Sequence, residues 1–110
     1  MTIEEFVSVL QESDIPVTHY QWPVGEVPDL PYLVYLIPQS DCEYGDNISW
    51  AEISEINVEL YSEQRNFQLE DRLKEIFNAH ELPYTTEFNY IESEQMFQTI
   101  FYLEEVFDNE

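Results

Sequence analysis

Apolar residues near the start of the chain recur as Ile3, Phe6, Val7 and Leu10, the i, i+3, i+4, i+7 spacing of one helix face. Thr2 and Glu5 fit a capping box ahead of that face, and Pro16 forbids its continuation, so a helix is expected over about residues 2–13. "VTHYQW" (17–22) alternates and is rich in β formers, which predicts a strand. "PVGEVPDLP" (23–31) holds three prolines and a glycine and reads as an excursion. "YLVYLIP" (32–38) is a continuous apolar run between Pro31 and Pro38, the pattern of a covered or central strand. The polar stretch that follows reads as a long acidic loop at about 39–50. "ISWAEISEINVELYSE" then alternates. Ile56, Val58 and Leu60 fall on one side and Glu55, Asn57, Glu59 and Tyr61 on the other, predicting a strand with one wet, acidic face. Asn66 is placed to cap a second helix whose stripe is Leu69, Leu73, Ile76 and Phe77, with Pro83 beyond its end. Along it Glu70 and Lys74 form an attractive i, i+4 pair, and Asp71 and Glu75 a repulsive one. "YTTEF" (84–88) reads as a short strand and "NYIESE" as a turn region.

The last element allows two readings. Met96, Ile100, Leu103 and Phe107 lie at helical spacing, yet "FQTIFYL" is β-branched and aromatic. If it is a strand, the order is α-β-β-β-α-β-β. The expected fold is then α+β, a mostly antiparallel sheet of about five strands with two helices packed on one face. No internal repeat or linker divides the 110 residues, so one domain is expected over 1–110.

Charge changes the picture most. The chain carries 24 acidic residues against three basic ones, a net charge of −21, and residues 1–64 contain no Lys or Arg. Binding nucleic acid by neutralising phosphates is therefore excluded, and anionic membranes should repel the chain. What remains is a basic protein partner, a surface to which DNA does not stick, or plain solubility. No apolar run is long enough to span a bilayer, and the acidic N-terminus does not resemble a signal peptide. The single Cys42 leaves no internal disulfide framework and suits a reducing compartment.

Catalytic chemistry finds little material. The only histidines, His19 and His80, fall in a predicted strand and at a predicted helix end. Two glycines twenty residues apart make no phosphate loop, and one Cys with two distant His makes no zinc site. "DCEYGDNISWAE" (41–52) sets Asp41, Glu43, Asn47, Ser49 and Glu52 at calcium-loop positions. Its glycine is one place early and the preceding segment reads as a strand, so a solvated acidic loop is the better reading. Glu52, Glu55 and Glu59 form either a solvated sheet face or a charged wall inside an assembly. Tyr32, Tyr35, Tyr44 and Trp50 divide between core and interface anchors.

Several stretches taken together, "LPYLVYLIP", the acidic loop with "GDN", "INVELYSEQRN", "LEDRLKEIF" and "YIESEQMFQTIFYLEEV", resemble small tail proteins of siphophages and prophages of Gram-positive bacteria. The resemblance covers roughly residues 30–106 and is to the tail terminator and tail-completion group. It implies a small α+β protein without enzyme activity or cofactor. Such a protein would form a homo-oligomeric, hexameric ring at the head-proximal end of the tail tube. The ring would end tube polymerisation and join tail to head, meeting the tail tube protein on one side and the head connector or stopper protein on the other. DNA would pass through without specific binding. The implied location is the virion tail or neck, and the host cytoplasm during assembly.

For such a ring, Asp41, Cys42, Glu43, Tyr44, Gly45, Asp46, Asn47 and Trp50 are the expected interface positions in the loop, with Arg65, Arg72 and Lys74 facing acidic residues of a neighbour. Glu52, Glu55 and Glu59 are the candidate acidic lumen face. The resemblance and the β-rich centre together favour a strand for the last element, about 95–106. Phe97, Thr99, Phe101 and Leu103 would share one face, with Glu92, Glu94, Glu104 and Glu105 outside the core. The competing reading, drawn from charge alone, is an acidic DNA-mimic inhibitor of a host nuclease, of the anti-restriction or anti-CRISPR kind.

Overall fold

The computed structural model describes residues 2–45 and 48–108, with side chains for all of these except residues 38–54 and 105–108. Helix α1 spans Ile3–Gln11. It is opened by a reciprocal capping box in which the Glu5 N–H donates to Thr2 Oγ1 and the Thr2 N–H to Glu5 Oε1, both at 3.1 Å. Its buried face is Phe6, Val9 and Leu10, while Ile3 is exposed, so the apolar stripe is rotated from the one expected. Helix α2 spans Phe67–Ala79 behind Asn66, whose side chain accepts from the Leu69 N–H at 3.1 Å. Leu73 and Phe77 of its stripe are fully buried and Leu69 and Ile76 partly so.

Five strands form one sheet in the order β1-β2-β3-β5-β4: β1 Val17–His19, β2 Tyr32–Gly45, β3 Ile48–Ser62, β4 Tyr84–Ile91 and β5 Met96–Asp108. β1 lies parallel to β2, and every other pairing is antiparallel. The chain leaves β3, crosses through α2 to β4, and returns as β5 between the two. The fold is α+β, with the element order and single helical layer that the sequence pattern predicts. Both helices cover the face that carries Leu33, Tyr35, Ile56, Val58, Leu60, Phe101 and Leu103, and the core lies between.

Three elements differ from the sequence reading, the first being β4, expected over 84–88, which continues through part of the expected turn region to Ile91 because residues 89–91 pair with β5. β1 stops at His19, because Tyr20 adopts a left-handed φ of 70° and turns the chain away. Of the stretch expected to be a long acidic loop, 39–50, residues 39–45 and 48–50 are instead strand. β2 continues to Gly45 and β3 begins at Ile48, with Gln39–Glu55, Ser40–Ser54 and Cys42–Glu52 in register. A polar composition suggested a loop, but pairing to β3 satisfies the backbone without any apolar face. Residues 46 and 47, including the expected interface positions Asp46 and Asn47, lie outside the described residues.

The last element is a strand. Gln95 takes a φ of 50° after a 3-10 turn at Glu92–Glu94, and β5 then runs between β3 and β4. The central position explains apolar residues on both of its faces. Glu92, Glu94 and Glu104 are exposed, and the Glu105 side chain lies outside the described ones.

Beyond Leu103 the sheet narrows. β4 begins in register with Leu103, at Tyr84, and β1 pairs only with Leu33–Tyr35. A three-stranded arm therefore continues alone, made of residues 39–45 of β2, 48–55 of β3 and 104–108 of β5. It lengthens the molecule to extents of 50 × 31 × 22 Å.

Candidate functional site

The face of the sheet away from the helices carries the polar chemistry. Alternation puts Glu55, Asn57, Glu59 and Tyr61 of β3 there, beside Met96, Gln98, Ile100 and Tyr102 of β5 and Thr85, Glu87, Asn89 and Ile91 of β4. Register aligns Val34, Glu59, Ile100 and Glu87 in one row and Tyr32, Tyr61, Gln98 and Asn89 in the next.

The second row is wired into the first. Tyr61 Oη donates to Glu59 Oε1 at 2.8 Å and accepts from Gln98 Nε2 at 2.9 Å. Asn89 Nδ2 donates to Gln98 Oε1 at 3.2 Å and to Glu87 Oε2 at 2.8 Å. The chain of bonds thus ends on a carboxylate at each side, with Ile100 in register between the two acids and buried although no helix covers it. Burial, followed by the hydrogen bond to Glu59, drives the Tyr61 pKa far upward. Tyr102 is also raised, first by desolvation and then by the charges of Glu87 and Glu59. Both hydroxyls are held protonated, as donors facing carboxylates.

At one end of this face the excursion between β1 and β2 folds over the sheet and leaves an open groove of about 360 Å³. Trp22, Tyr32, Val34, Tyr61, Glu94 and Met96 are among its lining residues. The Trp22 and Tyr32 rings meet edge to face at 5.7 Å, and Tyr32 and Tyr61 at 5.4 Å. The buried indole N–H of Trp22 has no acceptor among the described residues. At the other end, Glu55 and Glu104 stand directly opposite each other where the arm departs.

The predicted site residues separate accordingly. Glu55 and Glu59 share the open face. Glu52 is paired by its backbone with Phe107 and Cys42, and its side chain lies outside the described ones. Asp41, Cys42, Glu43, Tyr44, Gly45 and Trp50 are arm positions by their backbone, with side chains outside the described ones. Tyr35 belongs to the core, where it stacks on His19 at 4.8 Å, and Tyr32 lines the groove.

Within the chain, two of the three cations have acidic partners. Arg65 makes a forked contact to buried Glu70, Nε to Oε2 at 3.2 Å and Nη2 to Oε1 at 3.3 Å, and lies over the Phe67 and Phe88 rings. The expected Glu70–Lys74 pair gives way to this contact. Arg72 reaches Asp14 at 3.2 Å, and Lys74 has no ion pair among the described residues. His80, at the end of α2, bonds Glu12 at 2.7 Å across to α1. The stretch whose spacing approaches a calcium-loop template, and which reads better as a solvated loop, is a pair of strands at residues 41–45 and 48–52, not the bent loop that such a site requires. Among the described residues no cluster of His, Cys, Asp and Glu is arranged to hold a metal.

Sequence reasoning missed Gln98, Asn89 and Glu87 as members of the polar chain. Only the period-two phase of β4 and β5 carries that signal, and it becomes useful once the register is known. No protein-family model matches the chain, and no curated protein matches it.

Proposed function

We propose that the chain is a structural subunit of a phage tail or neck, of the tail terminator or tail-completion kind, that assembles head to tail into a ring. The observation that carries this reading is the arm. Among the described residues, residues 39–45 of β2 and 104–108 of β5 each pair on one side only, with β3 between them. Their outer edges are open and face opposite ways, and open edges invite pairing with another chain. Two different edges on opposite sides suit a heterologous contact, the kind that closes a ring.

The charge distribution supports the same reading. Glu55, Glu59 and Glu87 lie on the helix-free face, whereas Arg65, Arg72 and Lys74 belong to α2 and the turn before it. A ring with the helix-free face inward would present DNA with carboxylates and no phosphate anchor. No bound cofactor or catalysis is invoked.

Native mass spectrometry across protein concentration and salt tests the reading. The expected result is one discrete multiple of the chain mass, favoured by salt because salt screens the repulsion between acidic subunits. A monomer under every condition, including with tail tube protein present, would refute it.

A further inference from the structure

The groove under the excursion shares the helix-free face with Glu59 and Glu87 but lies at the end of the sheet opposite the arm, away from the open edges on which the ring reading rests. Tyr20, Val24 and Val27 on the excursion are 66%, 103% and 58% exposed, a concentration of exposed apolar side chains beside the aromatic wall of Trp22, Tyr32 and Tyr61. Glu94 lines the same groove, where burial first and the Glu94 charge second raise the Tyr32 pKa. Glu26 and Asp29 are exposed on the excursion and Glu92 on the 3-10 turn.

No Lys or Arg occurs in residues 1–64 or 75–110, so none belongs to any segment that builds this groove. The surroundings are aromatic and uniformly anionic. We propose that the groove is a docking site for a basic segment of a protein other than this chain, with arginine or lysine side chains spaced among aliphatic ones.

Charge complementarity selects this occupant. A second copy offers only three cations against 24 acidic residues, and one of the three is tied to buried Glu70. Nucleic acid and anionic lipid carry the wrong sign. A guanidinium is attracted both to the carboxylates and to the faces of Trp and Tyr rings. The chain already holds one in that way, with Arg65 4.5 Å from the Phe67 centroid and 4.0 Å from that of Phe88. Val34 and Met96 offer the apolar floor that an aliphatic side chain would cover.

The test is calorimetric titration with a short peptide of alternating arginine and leucine, at low and high salt, with the glutamate–leucine peptide as control. Glu94→Lys is compared with Glu75→Lys on the exposed side of α2, because both change the net charge equally. Binding of the basic peptide alone is expected, weakened about tenfold or more by Glu94→Lys and by Trp22→Ala, as for loss of a central contact. Glu75→Lys should leave it within about twofold, as a remote charge change does. In a Trp50→Phe background, Trp22 fluorescence should change on binding. Equal weakening by Glu75→Lys would mean net charge alone attracts the peptide. That result, equal binding of the acidic peptide, or no binding would overturn the proposal. Glu94→Lys is a surface change, so the comparison survives even if Trp22→Ala unfolds.

Discussion

Tyr61 shows how one hydroxyl organises the open face. It donates to Glu59 and accepts from Gln98, so its removal leaves a part-buried amide donor and a carboxylate each short of a partner. Tyr61→Phe should cost about 1–2 kcal/mol in urea unfolding, the usual range for losing such bonds. The same residue sets a pH dependence. Tyr32, Tyr35, Tyr61 and Tyr102 all have pKa values raised above the ordinary 10.0. Near and above that value the unfolded chain releases these protons before the folded chain does. The stability they contribute is complete below about pH 10 and is lost as pH rises towards the folded values. Alkaline unfolding followed by circular dichroism should therefore begin near pH 10. It should be shallower in Tyr61→Phe, which removes the group whose pKa is raised furthest.

At the scale of elements, one ion pair ties the turn before α2 to its first turns, and its arginine also lies over Phe88 of β4. The Glu70 side chain is 4% exposed and Arg65 39%, so truncating the arginine strands a buried carboxylate. Arg65→Ala should destabilise by about 3 kcal/mol, the low end for a broken buried pair because one partner is partly exposed. Replacing both residues by leucine should recover most of that loss in the same denaturation experiment. Arg65→Lys should rescue poorly, since a lysine neither forks onto two oxygens nor stacks flat between Phe67 and Phe88. The departure point of the arm has the opposite electrostatics. Glu55 and Glu104 are directly opposed, and Glu55→Lys should stabilise the monomer by about 0.5 kcal/mol.

For the whole molecule, a net charge of −21 acts against the compact state as well as against assembly. Among the described residues, the ion pairs Arg72–Asp14 and His80–Glu12 are exposed and worth little. Repulsion should dominate, so the melting temperature should rise with sodium chloride, and a calorimetric scan at several salt concentrations would show it. A fall in melting temperature would mean that attractive pairs outweigh the repulsion. Any assembly step should share this sign, because ions screen subunit repulsion more than contacts already buried.

The local pattern alone determined much of the fold. Caps at Thr2 and Asn66, prolines at 16 and 83, and the alternation of 55–61 state helix ends and strand faces through contacts only a few residues apart. Composition determined the sign of the surface, since three cations leave few arrangements. The rest required long-range pairing. That 39–45 and 48–55 pair as strands, that Glu59 and Glu87 flank Ile100, and that Arg65 belongs to Glu70 all depend on which strands become neighbours and in what register. A period of two makes register decisive, because a one-residue slip would exchange the acidic face for the core. Only tertiary packing selects that register. It alone gathered Trp22, Tyr32, Tyr61 and Glu94, drawn from four parts of the chain, around one groove.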